Sequence, residues 1–194
     1  APALSLVCFS PAGVIARPAS IRLAVKRLKV LGFDASIDES ALARHQRFAG
    51  DDATRLAAIH RVARAAPSIA LATRGGYGLT RLLERIDWKL IAKSVERGTR
   101  WVGQSDLTAL QLGLLAHARG ITWAGPLAGD HFGRSDEDGG VDEVTRDCFA
   151  EAMHGAMYQW LAQFDAGIVD HVSRGDVVRA VEDHVGVAEQ RFDI

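Results

Sequence analysis

Residues 69–78 read Ile69-Ala-Leu-Ala-Thr-Arg-Gly-Gly-Tyr-Gly78, an apolar run that passes directly into a glycine-rich loop. A short apolar run that ends in glycines is typical of a buried parallel strand followed by a turn. Glycines at such a turn let backbone N–H groups approach a ligand closely. The alternative is a tight strand-to-helix turn that binds nothing. A P-loop is excluded, because no Gly-Lys-Ser/Thr follows.

Further apolar runs alternate with segments of helical periodicity along the chain. Strands are predicted at 4–9, 33–37, 68–73, 101–103 and 121–124, and helices at 20–32, from Asp51 or Asp52 to 66, from 78 to about 85, from Ser105-Asp106 onward and at 142–164. This alternation predicts an α/β fold with a mostly parallel sheet and helices on both faces, of flavodoxin-like or Rossmann-like type. The Gly-rich and acidic stretch 130–142 is expected to be an exposed loop.

The composition argues against two classes of binding partner, nucleic acids and membranes. The chain of 194 residues carries 23 basic and 24 acidic residues and has no Lys/Arg run, which disfavours nucleic-acid binding. No stretch reaches the roughly 18 apolar residues of a membrane span, so no membrane association is expected. The two cysteines, Cys8 and Cys148, fit a reducing compartment, and the cytoplasm is the expected location.

A second motif follows the strand predicted at 101–103. It reads Gly103-Gln-Ser-Asp-Leu-Thr108, and it places a serine where a strand turns into a helix. This arrangement is typical of a nucleophile elbow, which exposes the hydroxyl and directs the next N–H groups to the same point. The alternative is that Ser105 or Asp106 only caps the helix. The motif differs from G-x-S-x-G, because Leu107 replaces the second glycine.

The two motifs together resemble signatures of the LD-carboxypeptidases, serine peptidases that include murein tetrapeptide carboxypeptidases and microcin C7 self-immunity enzymes. The resemblance rests on the runs 69–78 and 101–110. Further matches in the family's order are Ser10-Pro11-Ala12-Gly13, Gly50-Asp51-Asp52 with Arg55, and Gly125-Pro126. The similarity covers residues 4–126.

The resemblance implies that Ser105 is the nucleophile and that the backbone N–H groups of Gly76 and Asp106 form the oxyanion hole. Arg74, Gly75 and Gln104 are candidate substrate-binding residues, although the family commonly has an aromatic residue at the position of Gln104. Similar enzymes hydrolyse the L,D-peptide bond that releases terminal D-alanine from muropeptide tetrapeptides during peptidoglycan recycling. No metal and no organic cofactor are implied.

The family's catalytic Glu and His lie in a C-terminal domain, and the motifs that carry them are absent from this sequence. Residues 1–165 are therefore assigned to an N-terminal nucleophile domain, and residues 166–194 to a linker or the start of a missing domain. Such a truncated portion is expected to be inactive alone, and a homodimer would cover its exposed docking surface. His131 is the best-placed local substitute for the base. The alternatives are a non-catalytic module that binds small molecules or peptides, a microcin-immunity-like peptidase, and a purely structural domain.

Overall fold

A computed structural model describes residues 2–155, and the predicted domain boundary at residue 165 lies outside them. Five parallel strands form one sheet in the order β2-β1-β3-β4-β5. They are β1 (Leu4–Phe9), β2 (Phe33–Ile37), β3 (Ile69–Ala72), β4 (Arg100–Gly103) and β5 (Trp123–Ala124). This strand order is that of the flavodoxin-like fold, so the predicted fold class is confirmed.

In the described part of the chain, five α-helices connect or follow the strands: α1 (Pro18–Val30), α2 (Asp52–Ala65), α3 (Trp88–Glu96), α4 (Leu107–Ala118) and α5 (Glu143–His154). Proline at the first position suits α1, because its fixed φ is already helical. Asp51 caps α2 by accepting a hydrogen bond of 2.7 Å from the Thr54 N–H, which selects Asp51 from the two predicted caps. Within residues 2–155, no helix combines the length and the apolar composition that crossing a bilayer requires.

Helices α1 to α4 pack on both faces of the sheet. Strand residues such as Phe9 and Trp101 face the side covered by α2, α3 and α4, where they form the main apolar core. The two rings meet edge to face with centroids 5.3 Å apart, and the Trp101 Nε1–H donates to Ser94 Oγ at 2.9 Å. Right-handed crossovers place α1 on the opposite face, where it contacts a π-helical turn, Ala128–Phe132.

Two predicted segments were wrong. The helix expected at 78–85 is only a 3₁₀ turn, Leu83–Arg85, and Gly78 at its expected start has a φ of +124°, which excludes that residue from a helix. The stretch 130–142 is not a uniformly exposed loop, since Phe132 is fully buried. Arg27 of α1 donates hydrogen bonds to the carbonyls of Phe132 and Arg134 and so holds this segment. The helix predicted at 142–164 begins at Glu143, and positions after 155 lie outside the described residues.

An ion pair between a buried carboxylate and a partly exposed arginine fixes the end of β2. The Asp38 carboxylate accepts two hydrogen bonds of 2.8 Å from Arg61 on α2 and one of 3.1 Å from the Ser40 N–H. Burial raises the pKa of Asp38, but the hydrogen bonds from Arg61 and Ser40 and the charge of Arg61 outweigh it and hold the pKa below its usual value. A carboxyl with a lowered pKa stabilises the fold above its unfolded pKa, and this contribution is lost as the pH falls through the folded value.

We therefore expect Asp38→Asn to lower the free energy of unfolding by about 1–3 kcal/mol at pH 7, because the pair with Arg61 is lost. The difference from the unsubstituted protein should shrink below about pH 4, as Asp38 itself becomes protonated. Urea unfolding at pH 7 and at about pH 3.5 measures both values. Asp34→Asn, an exposed carboxylate on the same strand, is the control and should change little. A deficit for Asp38→Asn that is independent of pH would contradict the role of ionisation.

Candidate active site

The candidate site lies at the carboxyl ends of β1, β3 and β4. In this strand order the chain leaves β1 toward one edge of the sheet and leaves β3 toward the other. The loops after these two strands therefore diverge and leave a crevice, which is where ligands bind in open α/β sheets. The predicted glycine loop follows β3 and the predicted serine motif follows β4, so the fold brings the two motifs together at this crevice.

Ser105 occupies a strained turn between β4 and α4. Its φ of +61° lies in the left-handed region, which costs a residue with a Cβ about 1–2 kcal/mol. The Thr108 N–H donates to the Ser105 carbonyl at 3.0 Å, so the turn leads directly into the helix. The side chain is exposed, and within residues 2–155 its hydroxyl has no hydrogen-bond partner. A strained turn that presents a free hydroxyl is the geometry of a nucleophile elbow.

The glycine loop packs directly against this turn. A Cβ atom placed on Gly75 would lie 2.6 Å from the Ser105 Cβ and 3.6 Å from the Asp106 nitrogen, so only glycine fits there. The Gly75 carbonyl accepts a hydrogen bond of 3.0 Å from the Gly13 N–H, which ties the loop to the chain after β1. The next residue, Gly76, has a φ of +110°, and a Cβ placed on it would lie 3.2 Å from the Gly13 Cα. The loops after the three strands thus form one surface.

Asp106 joins the serine turn to the glycine loop through its side chain. Its Oδ2 accepts a hydrogen bond of 3.0 Å from the Leu79 N–H, and it makes no capping hydrogen bond to α4. Since Ser105 also makes no side-chain bond, the alternative that these residues only cap the helix is wrong. Burial raises the pKa of the half-buried Asp106 carboxyl, and the Leu79 hydrogen bond and the charge of Arg55 only partly offset this.

Two backbone donors are free beside the serine. Among the described residues, neither the Gly76 N–H nor the Asp106 N–H donates a hydrogen bond. They belong to the two loops that meet at Gly75 and Ser105. Free N–H groups next to an exposed hydroxyl are what stabilisation of an oxyanion in acyl transfer requires. Their assignment as the oxyanion hole stays a prediction.

Sequence reasoning missed the importance of Arg55, which it noted only as part of a family pattern. The guanidinium is fully buried, donates to the Pro11 carbonyl at 3.0 Å and to Asp52 at 2.6 Å, and lies 4.7 Å from the Phe48 ring centroid. Burial lowers the pKa of Arg55, and Asp52 opposes this change. An Asp three residues before an Arg on a helix is typical of an exposed ion pair, so no local pattern signals the burial of Arg55.

The other predicted residues occupy different positions around the crevice. Arg74 uses its Nη1 to donate to the Val14 carbonyl at 3.0 Å, and its buried Nε has no partner within residues 2–155. Gln104 is exposed beside Ser105. The Nδ1 of His131 lies 3.0 Å from the Leu127 nitrogen, and no hydrogen bond joins His131 to Ser105 in the described part. That part also contains no group of three His, Cys, Asp or Glu side chains that could hold a metal ion.

The strain at Ser105 predicts an unusual order of stability. Ser105→Gly should be more stable than Ser105→Ala by about 1 kcal/mol, because only glycine tolerates the left-handed conformation without strain. Thermal or urea unfolding of the purified variants measures this difference. Ser36, an exposed residue of β2 without a positive φ, is the control, and there the alanine variant should be more stable than the glycine variant. Equal stabilities at position 105 would show that the turn is not strained.

The hydrogen bond from the Leu79 N–H requires an oxygen acceptor on the side chain at position 106, but it does not require a negative charge there. Asp106→Ala should lower the free energy of unfolding by about 1–3 kcal/mol, because the Leu79 N–H loses its partner. Asp106→Asn retains an oxygen acceptor, and it removes a carboxyl group whose ionised form is disfavoured by burial. At pH 7 it should therefore lower the free energy of unfolding by less than Asp106→Ala does. Urea unfolding of both variants gives the comparison. A larger loss for Asp106→Asn would contradict the assigned role.

Comparison with known proteins places this geometry in a family. Residues 7–125 match the family described as LD-carboxypeptidase N-terminal domain. A muramoyltetrapeptide carboxypeptidase from Oxalobacter formigenes is 31% identical with a TM-score of 0.66, over 76% of this chain and 47% of that one. An MccF-like protein from Bacillus anthracis is 27% identical with a TM-score of 0.69, over 79% and 45% of the two chains.

A third solved structure supports the fold alone. The microcin C7 self-immunity protein MccF, in complex with aspartyl sulfamoyl adenosine, is 20% identical with a TM-score of 0.70, over 79% of this chain and 45% of that one. The chain therefore spans about half the length of the solved structures that it matches. The family match extends from β1 to the end of β5 and includes both the glycine loop and Ser105. The chain belongs to the LD-carboxypeptidase family and contains its N-terminal domain.

Proposed function

We propose that this chain is the nucleophile-bearing domain of a serine-type LD-carboxypeptidase that releases terminal D-alanine from muropeptide tetrapeptides. The exposed, unpaired Ser105 hydroxyl, held in a left-handed turn against Gly75, is the observation that carries the proposal. The family match and the name of the Oxalobacter structure support the substrate class. The proposed setting is peptidoglycan recycling in the cytoplasm.

In the proposed mechanism, Ser105 Oγ attacks the carbonyl carbon of the L,D-peptide bond. The Gly76 and Asp106 N–H groups stabilise the negative charge that develops on the carbonyl oxygen. The C–N bond then breaks, the D-alanine amine takes up a proton, and an acyl-serine remains. Water hydrolyses this ester and restores the hydroxyl. Gly75 contributes by leaving room for the close approach of the two loops.

The mechanism requires a general base for Ser105, because an unassisted serine hydroxyl is a weak nucleophile. None of the histidines within residues 2–155 hydrogen-bonds to Ser105. We propose that the base and its orienting carboxylate come from a part of the protein outside these residues. The chain by itself is then expected to hydrolyse its substrate very slowly, and a homodimer stays a prediction.

Two alternatives share the same scaffold. A microcin-immunity-like peptidase is supported by the similarity to the MccF-like protein, and it would cleave an aminoacyl sulfamoyl nucleotide in place of a muropeptide. A non-catalytic binding module would use the free N–H groups of the two loops to hold an anion without attack by Ser105. Replacing the nucleophile and comparing substrates separates these alternatives.

We expect Ser105→Ala, in the intact protein as its gene encodes it, to reduce release of D-alanine by roughly a thousandfold or more. Mass spectrometry of a tetrapeptide ending in D-alanine measures the reaction, and the same peptide ending in L-alanine should not be cleaved. Thr108→Ala removes an exposed hydroxyl one turn later and should retain activity.

The outcomes distinguish the candidate functions. Cleavage of the muropeptide that survives Ser105→Ala would exclude Ser105 as the nucleophile. Cleavage of aspartyl sulfamoyl adenosine and not of the tetrapeptide would favour the microcin-immunity-like peptidase. Binding of the tetrapeptide without any cleavage by the intact protein would favour the binding module.

A further inference from the structure

A rigid turn presents Arg47 beside the glycine loop. His45 and Phe48 exchange both backbone hydrogen bonds, at 3.0 and 2.9 Å, across a turn in which Gln46 has a φ of +54°. The Arg47 carbonyl accepts a further hydrogen bond of 3.0 Å from the Val14 N–H. The backbone of Arg47 is therefore fixed on both sides, although its side chain is exposed.

The chain after β1 connects this turn to the candidate active site. The Ala49 N–H donates to the Ala12 carbonyl at 3.0 Å, and the Gly13 N–H donates to the Gly75 carbonyl at 3.0 Å. The segment 12–14 thus pairs with the Arg47 turn on one side and with the glycine loop on the other. Since Gly75 contacts Ser105, Arg47 is positioned relative to the nucleophile by a short series of backbone hydrogen bonds.

Two aromatic rings orient the Arg47 guanidinium. Its central carbon lies 5.1 Å from the centroid of Phe48 and 5.5 Å from that of Tyr77, which follows Gly76 directly in the glycine loop. Cation–π contacts of this kind hold a planar guanidinium but leave its edge donors free. Tyr77 is 72% exposed, so its ring forms an open platform.

Arg47 also differs from Arg55 and Arg81, the two other arginines at the Phe48 ring, in having no acidic partner among the described residues. Arg55 and Arg81 both pair with Asp52, whereas within residues 2–155 no carboxylate lies in ion-pair distance of Arg47. Arg74 is less available, because its Nη1 is bonded to Val14 and its Nε is buried against Gly13. Arg47 is thus an ordered and accessible cation beside the proposed oxyanion hole.

We infer that Arg47, supported by Tyr77, binds the C-terminal carboxylate of the peptide and so determines the specificity for its free end. The inference rests on the proposed function, in which the scissile carbonyl lies at the Gly76 N–H. In a carboxypeptidase substrate the carboxylate lies only one residue beyond that carbonyl. The inferred placement puts the leaving residue on the side of the glycine loop that carries Arg47, whose planar donors match a carboxylate in bidentate geometry.

The test measures binding in the Ser105→Ala background of the intact protein, so that it does not depend on hydrolysis. Isothermal titration calorimetry compares a muropeptide tetrapeptide with its C-terminal carboxamide. The acid should bind roughly tenfold or more tightly than the amide, because a charge-assisted pair is lost in the amide. Arg47→Gln should remove this preference by weakening binding of the acid alone. Arg44→Gln, an exposed arginine of the same loop without a ring contact, should leave it unchanged.

Variants of Tyr77 test the platform. Tyr77→Phe keeps the ring and should retain the preference for the acid, whereas Tyr77→Leu should reduce it. The inference would be overturned if Arg47→Gln weakened binding of the acid and of the amide equally, or if it left the preference for the acid intact. It would also be overturned if the protein bound neither peptide. The proposed function and the inference can fail separately. If the unsubstituted protein does not hydrolyse the tetrapeptide, but the Ser105→Ala protein binds the acid more tightly than the amide and Arg47→Gln removes this preference, the proposed function is wrong and the inference stands.

Discussion

Gly75 and Ser105 approach so closely that no side chain fits between them, and the arrangement of the candidate site follows from this contact. The parallel register pairs Leu71 with Val102, so β3 and β4 end side by side. Their loops can meet only because the first lacks a Cβ at the point of contact. The Gly13 N–H then joins β1 to the same surface by bonding to the Gly75 carbonyl. The sheet register, the loop conformation and the access to the Ser105 hydroxyl therefore all depend on this one close approach.

Charges beneath the loops hold this surface in place. Arg55 is buried among Pro11, Asp52 and Phe48, and a Cβ on Gly78 would lie 2.7 Å from its Nη1. The cost of burying this cation is partly offset by its hydrogen bonds, by Asp52 and by the Phe48 ring. Asp106 lies in the field of the same cation. The loops on which the proposed chemistry depends thus pack against one buried cation, Arg55, and its partner Asp52.

The sequence predicted features that local chemistry determines. The apolar runs gave the strands, the helical periodicity gave α1, α2 and α4, and the glycines and Ser105 indicated two turns at strand ends. Features that depend on distant partners were not predictable in this way. The carboxylate of Asp106 is a typical cap when read locally, but its donor, Leu79, is 27 residues away in sequence. Arg55 is typical of an exposed helix face, and only the folded loops bury it. The helix expected from Gly78 is absent: Gly78 has a positive φ, and the residues after it form only the 3₁₀ turn Leu83–Arg85.

The left-handed backbone of Ser105 has a consequence for the evolution of such domains. A turn that stores strain is retained only while selection acts on the hydroxyl that it presents. A lineage in which hydrolysis no longer matters gains stability by replacing this serine with glycine, and the neighbouring glycine at position 75 is then released from its steric constraint. If the proposed role of Ser105 holds, relatives that have become pure binding proteins should show coupled drift at these two positions.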